Sequence, residues 1–203
     1  DKQFLQIQHA LKSGRIASSR NVRIMSVAAD ILADLINYQH INLRELELPN
    51  NQLTGSIPNY DSPFLQDLEL NDNQLTGSIP KFKLPNLIAL YLSNNQLTGE
   101  IPEFDTPLLG GLQLGHNQLT GKIPDFKNMP KLQWLNCQNN QLSGNIPAFS
   151  NLFGLWWLIL DNNQLSGNIP NFQLPTLKTI SLNKNQLNGS LPNLNLPNLR
   201  LLF

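Results

Sequence analysis

Apolar and polar residues follow one pattern through most of the chain. From residue 43 onward, segments such as "LRELELPNNQL" alternate apolar and polar positions over about five residues. Alternation with a period of two is typical of a short β-strand that buries one face. Each segment is followed by Asn-Gln-Leu and then by glycine and proline, which end a strand and turn the chain. The pattern predicts a series of short strands joined by tight turns.

The pattern also repeats at a nearly constant length. Copies of the asparagine that follows the strand lie 22, 22, 22, 23, 23 and 22 residues apart, at Asn51, Asn73, Asn95, Asn117, Asn140, Asn163 and Asn185. Self-similarity at such a period is typical of solenoids, in which each repeat packs on its neighbours. We therefore expect parallel strands about 4.8 Å apart. The stacked asparagine amides should hydrogen-bond backbone groups of adjoining turns that no strand reaches.

The repeat unit reads L-x-x-L-x-L-x-x-N-Q-L-[TSN]-G-x-[IL]-P and resembles the leucine-rich repeat family. Its G-x-I-P half is similar to the plant-type variant of receptor ectodomains and polygalacturonase inhibitors. The resemblance covers residues 43–203, as seven full copies and a partial eighth. It implies the α/β class: a curved right-handed solenoid with a parallel β-sheet on the concave side. It also implies a secreted or cell-surface location. Because the units are short and paired cap cysteines are absent, a bacterial or protist relative is as plausible as a plant one.

An aromatic column and two chain ends complete the predicted architecture. The column should pack as a core spine on the convex side, among turns and 3₁₀ segments; it comprises Tyr60, Phe82, Phe104, Phe126, Phe149, Phe172 and the aliphatic Leu194. Residues 1–42 carry apolar residues at helical spacing, which predicts a helical N-terminal cap with helices near 2–12 and 21–37. At the other end the chain stops within the eighth strand, at "LPNLRLLF". We expect either a longer protein or self-association through this apolar edge.

Composition narrows the classes of function. The formal net charge is zero and charged residues are 14%, so there is no electrostatic footprint for nucleic acid. No apolar run approaches the roughly 20 residues of a membrane span. The single cysteine, Cys137, excludes an internal disulfide and should be a core residue. No nucleophile elbow, phosphate-binding loop or metal-ligand spacing occurs, so we expect neither an enzyme nor a cofactor.

Candidate ligand-binding residues lie at strand positions that the repeat leaves variable. These positions should face solvent on the concave side, because the leucines between them face the core. They run from a carboxylate cluster, through a depression lined by Gly110, Gly111 and Gly115 beside aromatic and amide side chains, to tryptophans and a lysine: Glu45, Glu47, Asp67, Glu69, Tyr91, Gln113, Trp134, Asn136, Trp156, Trp157, Ile159 and Lys178. Exposed tryptophans at adjacent repeats indicate a flat platform for a ligand.

Three hypotheses about function follow. The first is a non-enzymatic recognition module that binds a peptide or protein partner on the concave face. The second is a carbohydrate binder that uses the same tryptophan platform. The third is a structural repeat that associates with itself or with a regular surface such as ice, through its repeated polar columns. Those columns contain a glutamine in every full copy and a threonine in the first four, Thr54, Thr76, Thr98 and Thr120.

Overall fold

The computed structural model describes residues 44–60 and 62–203, which contain fifteen short strands and no helix. The predicted N-terminal cap over residues 1–42 lies outside the described residues. The strands are β1 (Glu45–Glu47), β2 (Thr54–Ser56), β3 (Asp67–Glu69), β4 (Gln74–Ser78), β5 (Ala89–Tyr91), β6 (Gln96–Glu100), β7 (Gly111–Gln113), β8 (Gln118–Thr120), β9 (Trp134–Asn136), β10 (Ser143–Asn145), β11 (Trp157–Ile159), β12 (Gln164–Gly167), β13 (Thr179–Ser181), β14 (Gln186–Leu187) and β15 (Leu201–Leu202).

One parallel sheet runs the length of the described repeats. It contains eight strands in the order β1-β3-β5-β7-β9-β11-β13-β15. Glu45 lies opposite Asp67 and Trp134 lies opposite Trp157, so residues at the same position of each repeat are direct neighbours across the sheet. In this sheet the middle residue of each strand from β1 to β13 is a buried leucine or isoleucine. The residues before and after it point to the face of the sheet opposite the core. This confirms the predicted parallel solenoid.

A second set of strands follows the asparagine of each repeat. It forms a four-stranded sheet, β2-β4-β6-β8, and a three-stranded sheet, β10-β12-β14. Here the register is offset by two residues from the repeat, because Thr76 lies opposite Ser56 and Gln96 rather than opposite Thr54 and Thr98. Equivalent threonines are therefore diagonal neighbours, roughly 7–8 Å apart, instead of direct neighbours about 4.8 Å apart.

The core consists of stacked leucine columns and a ring column. Within the described residues the leucines that line the eight-stranded sheet are buried from Leu46 to Leu182, and so is Cys137, which replaces a leucine. Burial raises the pKa of the Cys137 thiol to about 12, which fits an unreactive core residue. Neighbouring rings stack with centroid distances of 5.8 Å for Tyr60 and Phe82 and 6.3 Å for Phe126 and Phe149. The aromatic column is thus a core spine, as predicted.

Single hydrogen-bonded turns lead into the eight-stranded sheet. In one repeat the amide of Leu87 donates to the carbonyl of Leu84 at 3.1 Å, with Pro85 at the second turn position. Proline favours this position because its fixed φ matches the turn. In the 22-residue repeats, the 3₁₀ segments expected on the convex side are therefore single turns among the described residues. One hydrogen bond of this kind closes before each strand begins.

The two 23-residue repeats accommodate their extra residue with an additional turn. Met129 N donates to Phe126 O at 3.0 Å, and Leu132 N then donates to Met129 O at 3.1 Å. The aromatic residue that opens this double turn takes a left-handed conformation, with φ of 51° at Phe126 and at Phe149. Such a conformation costs roughly 1–2 kcal/mol for a residue with a side chain. Ring stacking and full burial offset that cost, so the spine continues through both insertions.

A ladder of asparagines ties successive turns together. Asn95 accepts a hydrogen bond from Leu75 N at 3.0 Å, and its amide donates to Leu70 O at 3.0 Å and to Leu92 O at 3.1 Å. Asn73 and Asn163 make the same set of bonds one turn earlier and three turns later. The predicted role of the repeated asparagine is confirmed, because the copies from Asn73 to Asn185 each satisfy backbone groups of their own turn and of the preceding one.

The residue before each of these asparagines adopts the left-handed region. Its φ lies between 52° and 58°, and most copies are asparagine or aspartate, which tolerate this conformation: Asn50, Asp72, Asn94, His116, Asn139, Asn162 and Lys184. His116 is exposed in this turn, with its Nε2 3.1 Å from Asn139 Nδ2. The histidine therefore occupies a surface turn. Lys184 is the copy whose side chain suits the conformation least.

Candidate functional site

The predicted ligand-binding residues fall on two surfaces. Ten of the twelve lie in strands of the eight-stranded sheet, where they form two columns on the outward face. The other two, Trp156 and Lys178, lie immediately before β11 and β13. They belong to a separate surface, which we call the pre-strand flank. It comprises the two central residues of the turn that leads into each strand and the residue just before the strand.

Carboxylates meet at the β1 and β3 end of the outward face. Glu45 lies opposite Asp67, and Glu47 lies opposite Glu69. Burial, and then the negative charge of Glu45, raise the pKa of Asp67 above its ordinary value. Burial raises the pKa of Glu69 as well, with further contributions from Glu47 and Asp67. The four predicted acidic residues therefore form one mutually repelling cluster.

The centre of the face is filled rather than open. A Cβ atom placed on Gly111 would lie 3.0 Å from Cε1 of Tyr91 and 3.1 Å from its hydroxyl oxygen, so the tyrosine ring lies over this glycine. Gly115 is covered in the same way by the side chains of Gln138 and Asn136. The glycine-lined depression expected from the sequence is thus occupied by neighbouring side chains. Glycine at residue 111 allows the tyrosine ring to lie flat across the strand.

Tyr91 links the filled centre to the acidic end. Burial raises the pKa of its phenol, and the nearby Glu69 and Asp67 raise it further. The hydroxyl therefore stays protonated at neutral pH and remains a hydrogen-bond donor. A ligand that crosses this part of the face meets carboxylate acceptors first and a phenol donor next.

Two tryptophans dominate the other half of the face. Trp134 of β9 and Trp157 of β11 are direct neighbours, with ring centroids 4.6 Å apart and an angle of 76° between the planes. This edge-to-face arrangement is favourable for aromatic rings. Trp157 remains 40% exposed. Asn136 and Ile159 extend the second column beside them and are half-buried. The pair leaves a large amphipathic surface open to a ligand.

Trp156 points away from this pair although it directly precedes Trp157 in the chain. It lies on the pre-strand flank, where the ammonium of Lys178 is 4.5 Å from the centroid of its ring. The two residues line a shallow depression of about 450 Å³, together with Gln133, Gly154, Thr176 and Asn198. The sequence analysis missed the last four. Their signal is the dipeptide Phe153-Gly154, which stands where the other described turns have proline and a residue with a side chain.

Neither a metal-binding cluster nor a membrane-spanning helix is present among the described residues. There is no group of three or more histidine, cysteine or acidic side chains placed to hold a metal ion in residues 44–60 and 62–203. Over the same ranges, no helix is long and apolar enough to cross a lipid bilayer.

Comparison with known proteins agrees with this geometry. The family model described as Leucine Rich Repeat matches residues 42–61, 86–106 and 131–152. No curated protein sequence is significantly similar to the chain. The repeats, the parallel sheet and the structural similarities below show that the chain belongs to the leucine-rich repeat family.

Solved structures of receptor ectodomains resemble the described repeats. The plant peptide hormone receptor RGFR1 in complex with RGF2 is 33% identical with a TM-score of 0.79, over 92% of this chain and 32% of the receptor chain. The Arabidopsis receptor kinase HAESA, in complex with the peptide hormone IDA and the co-receptor SERK1, is 34% identical with a TM-score of 0.72, over 88% and 32%. Pollen receptor kinase 3 is 30% identical with a TM-score of 0.65, over 90% of this chain and 98% of that chain. The chain therefore spans about a third of the two larger ectodomains.

Proposed function

We propose that this chain is a non-enzymatic recognition module that binds an extended peptide, or an extended segment of a protein, on the outward, concave face of the eight-stranded sheet. The observation that carries the proposal is the pair formed by Trp134 and Trp157. Side chains on this face have no core to fill, and a 40% exposed tryptophan loses apolar hydration on binding. Tryptophan is also enriched among residues that dominate binding energy at interfaces.

The similar ectodomains support a peptide as the class of ligand. Two of them are described as complexes with peptide hormones. Each is about a third identical to this chain and covers about nine tenths of it. This chain spans only part of those receptors, so the peptide is proposed from fold likeness together with the tryptophan pair.

The dimensions of the face suit an extended ligand. Four strand spacings separate the carboxylate cluster from the tryptophan pair, or about 19 Å at roughly 4.8 Å per spacing. A chain rising roughly 3.3 Å per residue covers that distance with about six residues. Such a peptide would place a basic residue at the carboxylates and an apolar residue against Trp134 and Trp157. The unlike ends of the face would then fix the direction of the peptide.

The alternatives make different demands on the surface. A carbohydrate would use the same tryptophans, with Gln113 and Asn136 as hydrogen-bonding partners. A lattice surface would require identical groups at one short spacing, whereas the offset register separates equivalent threonines diagonally. We therefore propose that the ligand is recognised by the outward face, which carries Trp134 and Trp157. A thermal-hysteresis measurement tests the ice-binding alternative directly.

The deciding experiment selects a displayed library of random 12-residue peptides on the chain and, in parallel, probes a glycan array. The proposal expects enriched peptides that lose at least tenfold in affinity when Trp134 and Trp157 are both changed to alanine. Trp156→Ala is the matched control, because it removes a neighbouring exposed tryptophan from the flank and not from the face. Circular dichroism and urea unfolding verify that all variants fold. Binding confined to glycans, or a selection in which no enriched peptide depends on Trp134 and Trp157, would refute the proposal.

A further inference from the structure

The pre-strand flank carries an unusual share of the exposed apolar side chains. Among the described residues before residue 191, six large hydrophobic side chains are exposed. Five of them lie on this flank, and the sixth, Trp157, belongs to the outward face. The five are Phe64 at 47% exposure, Ile88 at 46%, Leu108 at 44%, Phe153 at 59% and Trp156 at 38%. The remaining exposed hydrophobic side chains lie within residues 191–203: Leu191, Leu201, Leu202 and Phe203.

The solenoid does not require apolar residues at these positions. Their equivalents in the remaining repeats are polar, proline or glycine: Asn86 and Asn198 stand where Phe64 and Leu108 stand, and Gln66 and Gln133 stand where Ile88 and Trp156 stand. The five side chains expose about 470 Å² in total, taking about 200 Å² for a whole large side chain. Exposed apolar surface of a few hundred Å² often marks an interaction site when it is contiguous.

The five side chains form two clusters along the axis. Phe64, Ile88 and Leu108 belong to the turns and strand starts at β3, β5 and β7, whereas Phe153 and Trp156 belong to β11. The flank from β3 to β13 covers five strand spacings, or about 24 Å. One helix or extended segment of a partner is long enough to contact both clusters.

The charges on the flank have one sign. Its described positions include four cations and no carboxylate: Arg44, Lys131, Lys178 and Arg200. Three of them, Lys131, Lys178 and Arg200, lie around the second apolar cluster. Basic residues beside exposed aromatic side chains are complementary to a partner that is both acidic and apolar.

The depression beside Trp156 gives this surface a place for one inserted side chain. Gly154 opens it, because the equivalent turn position carries Lys131 in the preceding repeat and Thr176 in the following one. A Cβ atom on Gly154 would lie 3.8 Å from its nearest neighbour, Leu132 O, which is ordinary contact. Packing therefore does not require glycine here. Tryptophan is enriched among the residues that dominate binding energy, and such residues lie in well-packed pockets at interfaces.

We infer that the pre-strand flank is a second interaction surface, which docks an acidic, amphipathic segment of a partner protein and accepts one of its apolar side chains beside Trp156. A lipid membrane fits less well, because the exposed side chains of Gln133 and Asn198 line the depression beside Trp156, and acyl chains entering it would offer them no hydrogen bonds. A protein segment can supply both the carboxylates for Lys178 and the polar groups for these amides.

The test selects the same displayed library of random 12-residue peptides and sorts the enriched peptides by their dependence on the flank. We expect a class rich in aspartate and glutamate around an aromatic or aliphatic residue. Its affinity should fall at least tenfold with Trp156→Ala and with Lys178→Glu, and it should weaken as salt is raised. Gly154→Asn should weaken this class equally, because its side chain would occupy the depression. The variant should fold, because asparagine stands at the equivalent position in other repeats. The double substitution of Trp134 and Trp157 is the control that should leave this class bound.

Several results would overturn the inference. One is a selection in which no enriched peptide depends on Trp156, or in which the dependent peptides are basic. Another is sedimentation of the chain with vesicles of phosphatidylserine and phosphatidylcholine in a manner that requires Trp156, without any flank-dependent peptide. A third is a dimer in analytical ultracentrifugation that Trp156→Ala dissociates, because the occupant would then be a second copy of this chain. Unchanged urea midpoints for Trp156→Ala and Gly154→Asn separate each of these results from misfolding.

Discussion

The asparagine ladder offers the sharpest test of what holds the solenoid together. Asn95 is 9% exposed and bridges two turns through hydrogen bonds to Leu75 N, Leu70 O and Leu92 O. A longer bond to Ser93 O, at 3.3 Å, adds little. Substitution by alanine removes all of these bonds. Leu75 N then loses its acceptor, whereas Leu70 O and Leu92 O each keep one hydrogen bond, from Asn73 and Asn117 respectively.

The cost can be worked out bond by bond. Leaving the buried N–H of Leu75 unpaired costs about 1–3 kcal/mol. The two carbonyls lose about 0.5–1 kcal/mol each, since one acceptor site of a carbonyl is less costly to leave empty. The sum is about 3 kcal/mol for Asn95→Ala. For a domain of this size, with a urea dependence of about 2.5 kcal/mol per molar, the midpoint should fall by about 1 M.

Urea unfolding followed by circular dichroism at 218 nm measures this shift. Gln96→Ala is the matched control, because Gln96 is the next residue and is exposed in β6. Its midpoint should change by less than about 0.2 M, since exposed substitutions usually stay within about 0.5 kcal/mol. If Asn95→Ala shifted the midpoint no more than Gln96→Ala does, the ladder would contribute no stability and the reasoning would be wrong.

Three further predictions concern single side chains. Thr106 is fully buried with an unpaired hydroxyl in an otherwise mostly apolar column, so Thr106→Val should raise stability by about 1 kcal/mol in urea unfolding. Lys184→Asn should stabilise by about 0.5 kcal/mol, because asparagine tolerates the φ of 54° better, whereas Lys122→Asn, at an ordinary φ, should not. The pKa of Asp67 is raised in the fold by burial and by Glu45, so ionisation at neutral pH costs stability and protonation restores it. Asp67→Asn should therefore be more stable than the parent at pH 7 by a few tenths of a kcal/mol, and the difference should disappear below about pH 4.

The sequence predicted the scaffold well because scaffold residues repeat. The leucine columns, the asparagine ladder, the aromatic spine and the core position of Cys137 all follow from a period of 22 or 23 residues. Once strands stack in parallel, residues at equivalent positions must become neighbours. The predicted columns on the outward face, including the contact between Trp134 and Trp157, follow from the same rule.

The candidate surfaces were predicted less completely. Trp156 and Trp157 are adjacent in sequence and were grouped together, but the flank ends where the strand begins, so the two rings lie on different surfaces. The glycine at residue 111 indicated an open depression, yet the ring of Tyr91 covers it from the neighbouring strand. Phe153 and Gly154 depart visibly from the repeat, but that departure by itself did not indicate the depression beside Trp156.

The sequence by itself determined which residues stack on which, because a constant repeat length makes equivalent positions neighbours whatever the detailed shape. The tertiary structure decided how far apart those neighbours are and what covers them. The same repeat pairs directly in the eight-stranded sheet and with a two-residue offset in the second sheets. That difference turns the polar threonine columns into diagonals. The packing of side chains from adjacent turns likewise leaves Trp156 and Trp157 open on separate surfaces, where two partners could be recognised.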